Sequence, residues 1–253
     1  MESDVQRKVA LSRLTAAGFR NGDTHILPWH EPKTVAQAGQ PLRPELVSIK
    51  RLPQRKLGSL AGRAALIHSL VHIEFNAINL AWDAVYRFRH MPAAYYADWV
   101  RIADEEAFHF VLLQTHLRTL GYDYGDFPAH NGLWDMALAT QEDVLLRMAI
   151  IPRVMEARGL DVTPEIINRL REIGDTAAVA ILEIILRDEI GHVAAGTRWF
   201  EYECEQRGLS RDELFPQLVT RYMKGPARKP LHLEARRQAG FNESELAWLA
   251  GGS

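Results

Sequence analysis

Two places in the chain set a glutamate three residues ahead of a histidine: Glu106 and His109 in ADEEAFHFVLL, and Glu189 and His192 in AILEIILRDEIGHVAAGTRWF. At about 100° per residue, a three-residue step returns both side chains to one face of a helix. Both stretches lack Pro. The second carries Ile181, Ile184, Ile185 and Val193 at helical spacing. A carboxylate beside an imidazole on a core-facing stripe is costly unless something binds the two. The chemistry open to such a pair is metal ligation.

The spacing alone is weak evidence. With 19 Glu and 10 His in 253 residues, chance supplies about 0.75 such pairs. Placement says more. Each pair falls near the middle of a long apolar-striped helical segment, and each follows a Glu on the segment before it. Glu74 precedes Glu106 by 32 residues, and Glu156 precedes Glu189 by 33. One unit thus occurs twice: a Glu, a chain reversal, then Glu-x-x-His. In an antiparallel helix pair that separation can return the second Glu to the height of the first. The two units together supply four Glu and two His, the ligand set of the di-metal carboxylate bundles.

Charge bears on this directly. Four buried carboxylates without a counter-charge repel one another and lose hydration, at a cost of many kcal/mol. Two divalent cations supply four positive charges. Carboxylates with imidazoles and no thiolate suit iron or manganese better than a structural zinc site. The residues Glu105 and Asp188, each just before a pairing Glu, could accept the second ring N–H of a ligand histidine; the competing reading makes them ordinary surface acids. The third-segment ligand is open between Glu156 and Glu142, which sits nearer the middle of its segment. Glu183 lies six residues from Glu189 on another face, and His72 points away from Glu74. His68 and His116 read as satisfied helix histidines. The aromatic residues read first as core.

The elements that must position these residues are four long helical patterns. They span Gly58 to Arg89, Pro92 to Leu120, Leu133 to Leu160 and Asp175 to Arg207. Ser59 is placed to cap the first and Gly121 to end the second. Pro152 should kink or interrupt the third. Thr163-Pro164 reads as the N-cap and first position of a separate short helix running to about Ile173. Before these, Asp4 to Ala17 fits a short amphipathic helix. Pro28, Pro32, Pro41, Pro44 and Pro53 then break the chain into an extended arm, with Ile26, Leu27, Trp29, Leu46, Val47 and Ile49 able to pack. After them come a helix near Ser210 to Met223, the loop KGPARKP, and a short helix over Asn242 to Leu249. No strand signal appears.

Length, with 47% hydrophobic and 25% charged residues, fits a globular chain with a real core. The net charge of −2 argues against bulk electrostatic binding to nucleic acid. The lone Cys204 rules out an internal disulfide and any multi-cysteine metal site. No apolar run is long enough to span a membrane, and MESDVQRKVA lacks the apolar core of a secretory signal, so a cytoplasmic location is expected.

The segments HIEFNAINLAWD, DEEAFHF, IPRVMEARGLD and RDEIGHVAAGTRWF resemble those of uncharacterised bacterial ferritin-like proteins classed as a domain of unknown function. That family is distantly similar to the non-haem di-iron tRNA hydroxylases. The likeness runs from about Pro44 to Gly240. In the hydroxylases a Glu-Ala-Arg run supplies the third-helix ligand, and Met155-Glu156-Ala157-Arg158 is similar, which selects Glu156.

The expected architecture is all-α. A ferritin-like four-helix bundle over 58–207 carries an extended N-terminal arm over 1–57 and a C-terminal helical extension over 208–253. Glu74, Glu106, His109, Glu156, Glu189 and His192 would hold two iron ions, with manganese as the alternative. The expected activity is dioxygen activation to oxidise or hydroxylate an organic substrate, either a small molecule or a modified nucleoside. No Gly-rich nucleotide motif is present, so an external electron donor is required. A ferroxidase or iron-binding protein is the alternative, and a bundle that keeps metal only for stability is the third. A homodimer is the oligomer allowed for.

Overall fold

A computed structural model describes residues 1–26, 31–53, 55–223 and 229–251. Among these residues the chain is helical, with no strand and a single parallel bridge between Leu46 and Ala129. It divides into two compact units, Met1–Leu138 and Ala139–Ser253. The boundary falls inside the third helical pattern. No described helix is long and apolar enough to cross a membrane.

The first unit is built on a helical hairpin. Helix α1 spans Val5–Asn21, α2 spans Leu60–Arg87, α3 spans Ala93–Thr119 and α4 spans Gly132–Ala139. Asp4 caps α1 through the Arg7 N–H, and Ser59 caps α2 through the Gly62 N–H. Each caps by the mechanism its residue type favours. Beyond α3, Gly121 takes φ +82°, a left-handed conformation open to glycine. Helices α2 and α3 run antiparallel: Tyr95 donates to the Ala84 carbonyl near the turn, and Phe75 meets Phe110 lower down. Helix α1 lies against α3, where Ser12 donates to the Ala103 carbonyl and accepts from Trp82 Nε1 at 2.7 Å.

The buried Lys8 ammonium donates to the carbonyls of Ala38 and Gly39 and to Asn79 Oδ1. It also lies 4.2 Å over the Phe75 ring. The arm is thereby pinned to α2 at its start. Farther along, Leu46 and Ile49 do not pack as expected; both are exposed. The backbone beside Leu46 is held instead, with the Val47 N–H donating to the Ala129 carbonyl and the Ala129 N–H to the Glu45 carbonyl. Leu27, Pro28 and Trp29 lie outside the described residues.

The second unit holds α5 (Val144–Ile150), a π-helical turn (Ile151–Glu156), α6 (Ala157–Glu172), α7 (Thr176–Arg207), α8 (Arg211–Met223), α9 (Leu233–Gln238) and α10 (Glu243–Leu249). Pro152 interrupts the regular α-helix, as expected, whereas Pro164 behaves differently from expectation. At Pro152 the α-helix gives way to the π-helical turn over Ile151–Glu156. The turn around it widens, and the Ala157 N–H reaches back five residues to the Pro152 carbonyl. Pro164 does not begin a new helix; it sits inside α6. It denies only one backbone donor, and the buried stripe of Leu160, Ile167 and Leu170 holds the helix together through it. Asp175 caps α7, and Gly208 closes it at φ +62°. Most of the KGPARKP loop lies outside the described residues. Asn242 and Glu245 form a full capping box on α10, whereas α9 carries no clear sequence signal.

Cys204 is 3% exposed, and burial pushes its thiol up to about 11. It should therefore resist thiol reagents at neutral pH in the folded protein and react with one equivalent after unfolding. Rapid labelling of the native protein would contradict this burial.

Candidate metal centre

In the first unit the antiparallel pairing of α2 and α3 puts Glu74, Glu106 and His109 at one height. All three are buried; His109 is fully shielded from solvent. Each offers a ligand atom within 4.8 Å of those of the other two. His109 Nδ1 lies 3.4 Å from Glu106 Oε2 and 3.5 Å from Glu74 Oε2. Glu74 Oε2 makes no hydrogen bond of good geometry.

The electrostatics follow from this crowding. Burial holds the Glu74 carboxyl well above the ordinary carboxylate range, and the neighbouring Glu106 charge adds to the effect. For His109, burial opposes a charged ring, but the Glu106 and Glu74 carboxylates outweigh it and raise the imidazole to about 11. The proton on His109 thus fills the place of a cation between two carboxylates. Two buried carboxylates, an imidazole and one oxygen without a hydrogen bond fit a divalent cation in that same place.

In the second unit, His192 is fully buried, and its Nδ1 lies 3.7 Å from Glu189 Oε1. Oε2 of Glu156, Oε2 of Glu189 and Nδ1 of His192 are all shielded from solvent. Register places Glu156. The run from α5 through α6 lies antiparallel to α7: Arg207 donates to Asp143 near one end, and Arg171 to Glu183 near the other. Between these pairings Pro152 seats on Gly196, where an added Cβ would stand 2.3 Å from the proline ring. One turn onward on the first strand of this hairpin is Glu156; one turn back on α7 is His192. Glu142 instead falls in the exposed turn before α5, far down the hairpin from that level.

Gly196→Ala should cost about 0–2 kcal/mol net, because overpacking against the rigid ring (about 1–3 kcal/mol) is offset by a helix-propensity gain of about 1 kcal/mol. Equilibrium denaturation of the two proteins would measure it. An alanine variant more stable than the parent by about 1 kcal/mol, the full propensity gain, would mean that Pro152 does not rest on α7.

The remaining candidates each have a partner of their own. Arg101 donates to Glu105, and Arg187 donates to Asp188. Glu183 is an exposed partner of Arg171. His68 accepts from the Gly125 N–H, and His72 lies between Tyr124 OH and the His130 carbonyl. Burial pushes both rings down to about 4, so both are neutral.

The sequence reading missed Arg153, in the π-helical turn three residues before Glu156. Its guanidinium is fully buried against Phe200, Phe215 and Phe241, at 4.7, 4.2 and 4.5 Å from the ring centres. Its Nη2 lies 2.7 Å from Glu245 Oε1, and its Nε donates to Thr197 Oγ1. Burial pulls it down to about 10 while Glu245 opposes the shift, so it stays charged at neutral pH. The one available signal was an arginine inside the apolar run AIIPRVM.

The described residues define an all-helical protein with a buried carboxylate–histidine cluster able to accept a metal ion. Residues 1–247 match the family described as "Protein of unknown function (DUF455)", and the chain belongs to that family. A relative from Haemophilus influenzae, itself described only as an uncharacterized protein, is 46% identical over 228 residues, covering 86% of this chain and 79% of its own length. No solved structure matches.

Proposed function

We propose that Glu74, Glu106 and His109, together with Glu156, Glu189 and His192, are the two halves of one di-iron centre in a ferritin-like bundle, and that the protein is an oxidoreductase. The observation that carries this reading is the first triad. Two carboxylates and an imidazole are buried together, with Glu74 Oε2 lacking a hydrogen bond. That arrangement costs stability unless a cation compensates it. The second triad repeats the residue types and the helix-pair layout. Two iron ions in such a ligand set supply dioxygen activation when bound.

The chain's own part is ligation, exclusion of water and placement of substrate. His109 gives up its ring proton when a metal takes its Nδ1 side. Phe75 and Phe110, the residues after Glu74 and His109, are fully buried beside each other and add to the apolar surroundings. Glu105 and Asp188 fix the orientation of ligand histidines. The substrate is an organic molecule, a modified nucleoside among the candidates, and electrons arrive from a separate reductase.

Anaerobic reconstitution with ferrous iron tests the reading. The expected result is two iron ions per chain, followed by dioxygen uptake that requires an external reductant and rises with an organic substrate. Uptake of dioxygen by the ferrous protein alone, unaltered by any substrate, would favour a ferroxidase. No iron uptake would end the proposal.

A further inference from the structure

We propose that Arg153 is a positioning residue for Glu156, and that Glu245 on the last helix is what holds it in that role. This rests on the reading of Glu156 as a metal ligand. It adds a claim of its own: the C-terminal helix controls the geometry of that ligand.

A π-helical turn gives up regular hydrogen bonding and is kept only where its surroundings demand it. Here it lies between α5 and α6 and ends on Glu156. An ordinary helix over the same residues would rotate Glu156 by a large part of a turn, since one residue is worth about 100°. Two contacts hold the wide form. Pro152 is seated on Gly196, and Arg153 Nε is tied to Thr197 Oγ1, the next residue of α7.

The second contact depends on charge. A guanidinium with no solvent access must have an anion close by. Glu245 stands there at 2.7 Å, with both side chains fully buried. Glu245 is also engaged by Arg211, and its Oε2 accepts the Asn242 N–H as half of the capping box. One carboxylate therefore terminates α10, pairs with α8 and neutralises the π-helical turn. The rings of Phe200, Phe215 and Phe241 close the cage from α7, α8 and the segment before α10. If α10 leaves, Arg153 is stranded in an apolar cage, and the turn that presents Glu156 has no reason to stay wide.

The test uses the full-length protein loaded anaerobically with cobalt(II), whose visible absorption reports its ligand field. Three variants are compared with the parent: Glu245→Gln, Arg153→Lys, and Arg153→Met combined with Glu245→Leu. The double variant removes both buried charges and keeps apolar volume, so it should fold even where Glu245→Gln does not. The expected result is an altered cobalt spectrum and metal binding weakened about 10–100-fold in the double variant, the usual scale for a residue supporting a ligand. Its exchange of the Ala157 amide should also be faster. Arg153→Lys, which keeps the charge but loses the fork, should be altered in spectrum as well.

A double variant that folds, keeps the parent spectrum and affinity, and protects the Ala157 amide would overturn the proposal and leave the metal reading intact. A parent protein that binds no cobalt and no iron would overturn both. The two failures are therefore told apart by the parent alone.

Discussion

In Glu106→Gln, metal will no longer stabilise the protein. Glu106 is buried in contact with His109 and supplies one of two carboxylates that a cation between them would need. A metal present at 100–1,000 times its dissociation constant stabilises the folded parent by about 3–4 kcal/mol. For a chain of this size that corresponds to a rise in melting temperature of about 5–16 °C. In the amide variant the rise should vanish. The metal-free variant should nonetheless fold, because the substitution also removes one of two like charges from a buried site where Glu74 already resists ionisation. Thermal melts of both proteins, with and without ferrous iron under anaerobic conditions, give the answer. The iron content of the variant adds a second one. It should fall from two per chain to near zero, in step with the lost rise. A metal-dependent rise that survives in the variant would place the metal elsewhere.

The second large effect is expected away from the triads. Asp161→Ala should destabilise the second unit by about 3–5 kcal/mol, the usual result of removing one partner of a buried ion pair. Asp161 accepts from Arg236 through both Nε and Nη2, at 2.9 and 2.7 Å, and from the His232 N–H. Neither side chain of the pair has meaningful solvent access. Without the carboxylate, the buried Arg236 loses its anion, and α9 keeps a long bond from Arg236 Nη2 to the Ala157 carbonyl of α6, at 3.4 Å. Urea denaturation should show a midpoint lowered by about 1–3 M. A change within experimental error would mean that α9 is not docked as described.

Several helices were legible because they carried their own punctuation. Asp4, Ser59, Asp175 and Asn242 stand at helix starts and cap them through local hydrogen bonds that depend on residue type. The pairing of Glu74 with Glu106 and His109 was legible because helical periodicity and a short turn fix both face and height. Glu156 was pointed to by its 33-residue lead on Glu189 but left open against Glu142. Its position depends on one extra residue in a turn, and that depends on Pro152 meeting Gly196 and Arg153 meeting Glu245, contacts across 44 and 92 residues of chain. Local pattern carries no trace of such pairings. Pro164 misled for the opposite reason: the local rule said start, and a buried apolar stripe across it overrode the rule.

The Arg153–Glu245 pair also bears on the order in which the chain can mature during translation. Domains tend to form from the N-terminal side as they emerge from the ribosome. The three residues of the Glu74–Glu106–His109 group all lie within residues 1–138, the first unit. The second must wait for residue 245, because until then its most deeply buried cation has no anion. A nascent chain stalled before that point would carry one finished half and one half still open to chaperones.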